Sequence, residues 1–282
     1  MSEAGRILRQ KLAQQAISFI DTSIYQIGED KYILSDPKTT LYLQHDLIRP
    51  FKKLIPDDYI SLDNRFLRNN TVTGSQNTVI KVSEETSLQA AEQLVKDYPD
   101  EKIVILNFAS AKKPGGGFLN GANAQEESLA RSTTLYKSLI AAEAFYNINE
   151  ASMSRTYTHN IIYSEDVIVF RTGDETCLCK PYKIDIITSP AVNRSITKEF
   201  DENYVDSVMI ERAHRILAIA SKHGAQHLIL GAWGCGVFKN NPLFVAGMFK
   251  QLIEGQFNGR FKSVTFAILG AETYNCFAEV MK

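Results

Sequence analysis

From residue 78 onward the chain alternates between two hydrophobic rhythms. Asn77–Ser83 reads as a strand, and Thr86–Asp97 as a helix with Ala90, Leu94 and Val95 facing inward. Lys102–Phe108 is a nearly unbroken apolar run, as in a strand covered on both faces. A glycine-bearing loop (109–124) then leads into a helical stretch from Gln125 to about Phe145. Val167–Phe170 and Lys183–Ile187 are the next predicted strands. Tyr204–His223 is a helix with Val208, Ile216, Leu217 and Ala220 on one stripe and Gly224 as its stop. His227–Gly231 is another buried strand, followed by a loop (232–240) and a helix with Asn241 at N-cap, Pro242 at N1 and Gly255 at its end. Lys262–Leu269 closes the series before a short terminal helix. Such alternation predicts an α/β sandwich around a largely parallel sheet, with ligands at the carboxyl ends of the strands.

The first 77 residues follow no such rhythm. Ile7, Leu8, Leu12, Ile17 and Ile20 recur close to a helical period, and Pro37, Pro50 and Pro56 break any long helix after them. We expect 1–77 to be an accessory extension packed on a core formed by 78–282.

Charge narrows the partners. Lys+Arg 31 against Asp+Glu 32 gives a net charge of -1, without the cationic excess that wholesale binding to nucleic acid or anionic membranes requires. No apolar run is long enough to span a bilayer and the N-terminal stretch lacks the core of a secretory signal, so a soluble, cytoplasmic protein is expected. In that setting the sequons Asn69–Thr71 and Asn193–Ser195 carry no meaning. Cys177, Cys179, Cys235 and Cys276 fit neither a zinc pattern nor a disulfide framework, although Cys177 and Cys179 could between them hold a soft metal. His45, His159, His214, His223 and His227 form no nucleophile–base pattern, and no GxSxG is present. No metal and no cofactor is expected.

Two loops carry the candidate chemistry. In the first, Gly115, Gly116 and Gly117 follow a strand; they can form an anion-binding nest or simply a flexible turn. The second, Gly231–Phe238 with Gly234, Cys235, Gly236 and Val237 at its heart, also joins a strand to a helix N-terminus, where phosphates are favoured. Two such loops at one sheet edge suit a diphosphate. Neither a P-loop nor GxGxxG occurs. Between the loops, Glu126 and Glu127 open a helix. They could merely complement its dipole, or supply the acid/base that glycosidic chemistry needs beside a bound sugar.

Gly115–Gly117, seven further residues, then Gln125-Glu126-Glu127 resembles the GGG…QEE signature of poly(ADP-ribose) glycohydrolases. Asn107–Ser132, Gly231–Phe238 and the order of elements, including the extension, are similar to the microbial (bacterial and fungal) branch of that family over most of the chain. Ser110, where animal relatives carry Asn, and residues 171–182 depart from the pattern without touching the signature.

The resemblance implies a three-layer α/β/α macrodomain with a mixed, largely parallel sheet. It implies hydrolysis of the ribose–ribose O-glycosidic bond of poly(ADP-ribose), with ADP-ribose as product. Glu127 would be the acid/base, Glu126 would hold distal ribose hydroxyls, and Gln125 would support them. Phe238 would pack on the sugar or adenosine face, unless it is only a core aromatic. Partners would be poly(ADP-ribose) or ADP-ribosylated macromolecules, with no membrane and a monomeric chain. A non-hydrolytic ADP-ribose reader, or a hydrolase of mono-ADP-ribosylated protein or nucleic acid, would use the same pocket.

Overall fold

The computed structural model describes residues 2–70 and 76–282; Thr71 of the first sequon lies outside them. The elements are α1 (Glu3–Thr22), β1 (Ile24–Ile27), β2 (Asp30–Ile33), β3 (Lys38–Gln44), α2 (His45–Ile48), β4 (Tyr59–Leu62), α3 (Asn64–Asn70), β5 (Val79–Ser83), α4 (Ser87–Asp97) and β6 (Ile103–Phe108). After them come α5 (Gln125–Ser132), α6 (Leu135–Ala141), α7 (Glu143–Ala151), β7 (Ile161–Arg171), β8 (Leu178–Ser189), α8 (Glu202–Lys222), β9 (His227–Leu230), α9 (Pro242–Glu254), β10 (Ser263–Ala267) and α10 (Ala271–Val280).

The central sheet has the order β4-β3-β7-β8-β6-β9-β10-β5. Among its described strands, β7 alone runs against the others, so the sheet is mixed and mostly parallel. β6 shows why helices must cover both faces. Val104 and Leu106 enter one buried cluster with Leu217 of α8 and Phe249 of α9, while Ile103 and Ile105 enter another with Leu88 of α4 and Leu139 of α6. Three layers follow from that alternation. Among the described residues, no helix is long and apolar enough to cross a membrane.

Two termini follow the expected capping chemistry: Asn241 caps α9 ahead of Pro242, and Gly224 leaves α8 at φ 73. Thr86 and Gln89 form a capping box at α4 that sequence reasoning missed. The expected helix from Gln125 to about Phe145 is instead three. At its first break Thr133 bridges Val169, and Thr134 both donates its N–H to Ile168 O (2.9 Å) and accepts the Ile168 N–H at its hydroxyl (3.0 Å). Two β-branched residues thus take strand partners in place of helical ones. β7 and β8 also extend beyond the short strands expected. The polar Ser164–Asp166 interruption is a register shift with Asp166 at φ 60, and hides the continuity of β7.

The segment before residue 78 contributes to the sheet itself, because β3 pairs with β7 and β4 pairs with β3. In α1 the buried side is Ala13, Ala16 and Ile20, whereas Ile7 and Leu8 of the expected apolar face are exposed. Small residues let α1 lie close to the turn at Phe118, which is buried against Ala13 and Ala130.

Candidate active site

The chain runs outward in opposite directions from β6 and β9, which are neighbours in the sheet. The loops that follow these two strands are the two glycine-bearing loops, so the topology itself opens a crevice between them. A cavity of ≈ 450 Å³ lies there, walled by Gly116, Gly117, Gln125, Glu126 and Glu127 on one side and by Gly234, Gly236, Val237 and Phe238 on the other. A second cavity of ≈ 400 Å³ shares Phe108, Gln125 and Gly236 with the first and continues past Cys235 towards Glu85, Leu269 and Glu175. Gly115 lines neither; at φ 67 it sits where a Cβ would be 2.9 Å from the buried Phe118 ring.

Gln125 is a brace. Its Oε1 accepts the Phe108 N–H (2.8 Å), and its Nε2 donates to Leu106 O (2.8 Å) and Ser87 Oγ (3.2 Å), locking the start of α5 to the end of β6. Glu126 is buried. Its Oε2 accepts the Ser110 N–H (2.7 Å), and Asn107 Nδ2 lies 3.4 Å from its Oε1. Burial pushes this carboxyl up to about 8; the Ser110 N–H opposes the shift and the Glu127 charge adds to it. Glu126 is therefore mainly protonated at neutral pH.

Glu127 is only partly buried and accepts the Gly117 N–H at Oε1 (2.9 Å). The Gly116 N–H goes to Lys113 O (3.0 Å). The expected nest is thus already engaged: the Gly117 N–H meets the protein's own Glu127 side chain. Gly116 has φ 60, and an added Cβ would collide with Glu127 Oε1 and lie 3.1 Å from Glu126 Oε2. Adjacent residues on a helix point about 100° apart, yet these two side chains are long enough for both to reach Gly116.

The second loop is built differently. Gly234 takes φ 76 so that the turn can close on Asn240, whose side chain donates to Gly234 O (3.1 Å) and Val192 O (2.8 Å). Among the described residues, the N–H groups of Gly236, Val237 and Phe238 have no hydrogen-bond partner. They lie in the cavity wall, the last of them three residues before the Asn241 cap of α9. Phe238 is half-buried at the core edge and also lines the cavity. Cys235 faces the second cavity, and burial pushes its thiol up to about 12, leaving an apolar neutral wall.

The family model described as the catalytic domain of microbial-type PARG matches residues 13–172. The chain belongs to the microbial-type PARG family. The poly(ADP-ribose) glycohydrolase of Thermomonospora curvata, solved with the inhibitor ADP-HPD, is 35% identical with a TM-score of 0.83, covering 96% of this chain and 98% of that one. That of Deinococcus radiodurans, solved with ADP-ribose, is 37% identical with a TM-score of 0.73, covering 86% of this chain and 94% of that one. No curated protein matches the chain. As a member of the microbial-type PARG family the chain has a macrodomain-like fold.

Sequence reasoning missed Asn107 and Ser110 as partners of Glu126, and the hairpin tip 172–177 as a cavity wall. The signal for the hairpin was Gly173. A Cβ there would lie 2.5 Å from Gln89 N, inside the α4 capping box, whose Thr86 Oγ1 donates to Gly173 O (2.7 Å).

Proposed function

We propose that this protein is a poly(ADP-ribose) glycohydrolase that cleaves the ribose–ribose bond of the polymer and releases ADP-ribose. The observation that carries the reading is the convergence of Glu126 and Glu127 on one point of a cleft whose opposite wall offers backbone N–H groups without a partner among the described residues. A diphosphate fits against Gly236–Phe238 and the start of α9, where partial positive charge gathers. The distal ribose then lies over the glutamates, and the adenosine end extends into the second cavity.

Glu127 donates its proton to the leaving 2′-oxygen as the bond from that oxygen to the anomeric carbon breaks. The sugar develops oxocarbenium character, and the Glu127 carboxylate accepts a hydrogen bond from the Gly117 N–H. Water then gives a proton to Glu127 and its hydroxyl to the anomeric carbon, restoring the acid. Glu126, kept neutral by burial, adds no charge beside the diphosphate and offers a hydrogen-bonding carboxyl to the ribose hydroxyls. Both steps run on carboxyl groups, without a cofactor.

ADP-ribosylated macromolecules, a monomeric chain and a cytoplasmic location complete the proposal. The test is incubation with purified poly(ADP-ribose) and, separately, with mono-ADP-ribosylated protein, followed by product identification. ADP-ribose from the polymer supports the reading. Release only from the singly modified protein replaces it with a mono-ADP-ribosyl hydrolase, and binding without cleavage replaces it with a reader.

A further inference from the structure

Arg131 lies on α5, four residues after Glu127, and its side chain is fully buried. Its Nε and Nη2 grip both oxygens of Glu175 (2.5 and 2.8 Å), while Nη1 donates to Ala122 O (2.8 Å). Glu175 sits at the tip of the β7–β8 hairpin, at φ 63, a left-handed conformation that a glutamate adopts only under constraint. It also lines the second cavity. Hydrogen bonds then lead back to the reacting groups: the Ala122 N–H donates to Gly117 O (3.2 Å), and the Gly117 N–H to Glu127 Oε1 (2.9 Å). Arg171, buried beside the pair, feels the same carboxylate and binds Gln15 of α1 (2.8 Å).

We propose that Arg131 and Glu175 are positioning residues: a latch that ties the wall of the second cavity to the loop holding Glu127. A bidentate guanidinium–carboxylate pair fixes both distance and angle. With Ala122 on its third nitrogen, it makes the hairpin and the Gly115–Ala122 turn one rigid unit. A substrate that fills the second cavity presses on a wall connected to the acid/base, so remote binding contributes to the chemical step as well as to affinity. The hairpin segment that departs from the family pattern is, on this account, part of the active-site support. The catalytic consequence rests on the glycohydrolase reading; the mechanical one does not.

The experiment compares Glu175→Gln and Arg131→Lys with the wild type in three measurements: polymer hydrolysis at saturating substrate, melting temperature, and amide hydrogen exchange of residues 115–122. Gln keeps one acceptor and Lys keeps the charge, so folded protein is expected from at least one of them. The latch predicts faster exchange in 115–122 well below the melting temperature. It also predicts a fall in kcat of roughly 10- to 10²-fold, the scale of a misplaced catalytic group. A rise in KM with unchanged kcat overturns it, because the hairpin is then only a wall. Wild-type exchange in the folded variants overturns it too. If the wild type itself releases no ADP-ribose from polymer, the glycohydrolase reading falls, and the exchange rates alone decide the latch.

Discussion

In the loop after β6, a Cβ added to Gly116 would collide with Glu127; in the loop after β9, a Cβ added to Gly236 would meet nothing within 4 Å. Both glycines lie in loops of the same kind, between a strand and a helix N-terminus, on opposite sides of one cleft. The first is small because the protein's own carboxylates need the space. The second opens on the cavity, and its neighbours' N–H groups have no partner among the described residues. A glycine-rich loop beside a cleft therefore need not be a phosphate cradle. Here the first loop holds Glu127, and we propose that the second holds the diphosphate.

The two loops should differ most at Gly116. Gly116→Val should abolish most turnover, because it displaces both glutamates at once, and it should also lower the melting temperature. The left-handed backbone alone costs a side chain about 1–2 kcal/mol. If turnover survives and only ADP-ribose affinity falls, the first loop is the cradle after all.

Glu126 sharpens the same contrast through pH. Burial lifts its carboxyl from 4.5 to about 8, so the native protein keeps a proton that the unfolded chain has released. The stability carried by that proton is complete below about pH 4.5 and is lost as pH rises towards 8. Thermal melts of Glu126→Gln should show a flatter decline across this window than the wild type. Parallel curves would mean that Glu126 is ionised in the native state. Glu126→Ala should weaken both ADP-ribose binding and turnover.

Gly236→Val should act more gently and on one property. Its Cβ enters open space in the cleft without a left-handed backbone, so the melting temperature should hold while calorimetry shows weaker ADP-ribose binding. Unchanged affinity would remove the second loop from the site. The smallest effect is expected from EDTA: turnover carried by two carboxyl groups should persist, and loss restored by Mg²⁺ would place the chemistry elsewhere.

Much of the architecture was readable in the sequence because it rests on local signals. The buried run at Ile103–Phe108, the Gly224 stop and the Asn241–Pro242 helix start each report their own geometry. The pairing of the loops followed from strand order, and the glutamates from a specific resemblance. What stayed hidden depends on long-range partners. The helix break at Thr133 needs β7, the hairpin tip needs Arg131, and the small buried side of α1 needs the Phe118 turn. The roles of Gly115–Gly117 were hidden for the same reason. Nothing in a run of three glycines says whether its N–H groups will meet a ligand or a glutamate ten residues on.

The central claim is that Glu127 performs the hydrolysis and that the protein can hold its ligand without it. The most direct measurement digests purified poly(ADP-ribose) with the wild type and with Glu127→Gln side by side, with ADP-ribose affinity measured for both. Expected are ADP-ribose from the wild type, a loss of roughly 10²–10⁴-fold in the variant, and nearly equal affinities. Wild-type turnover by Glu127→Gln would contradict it.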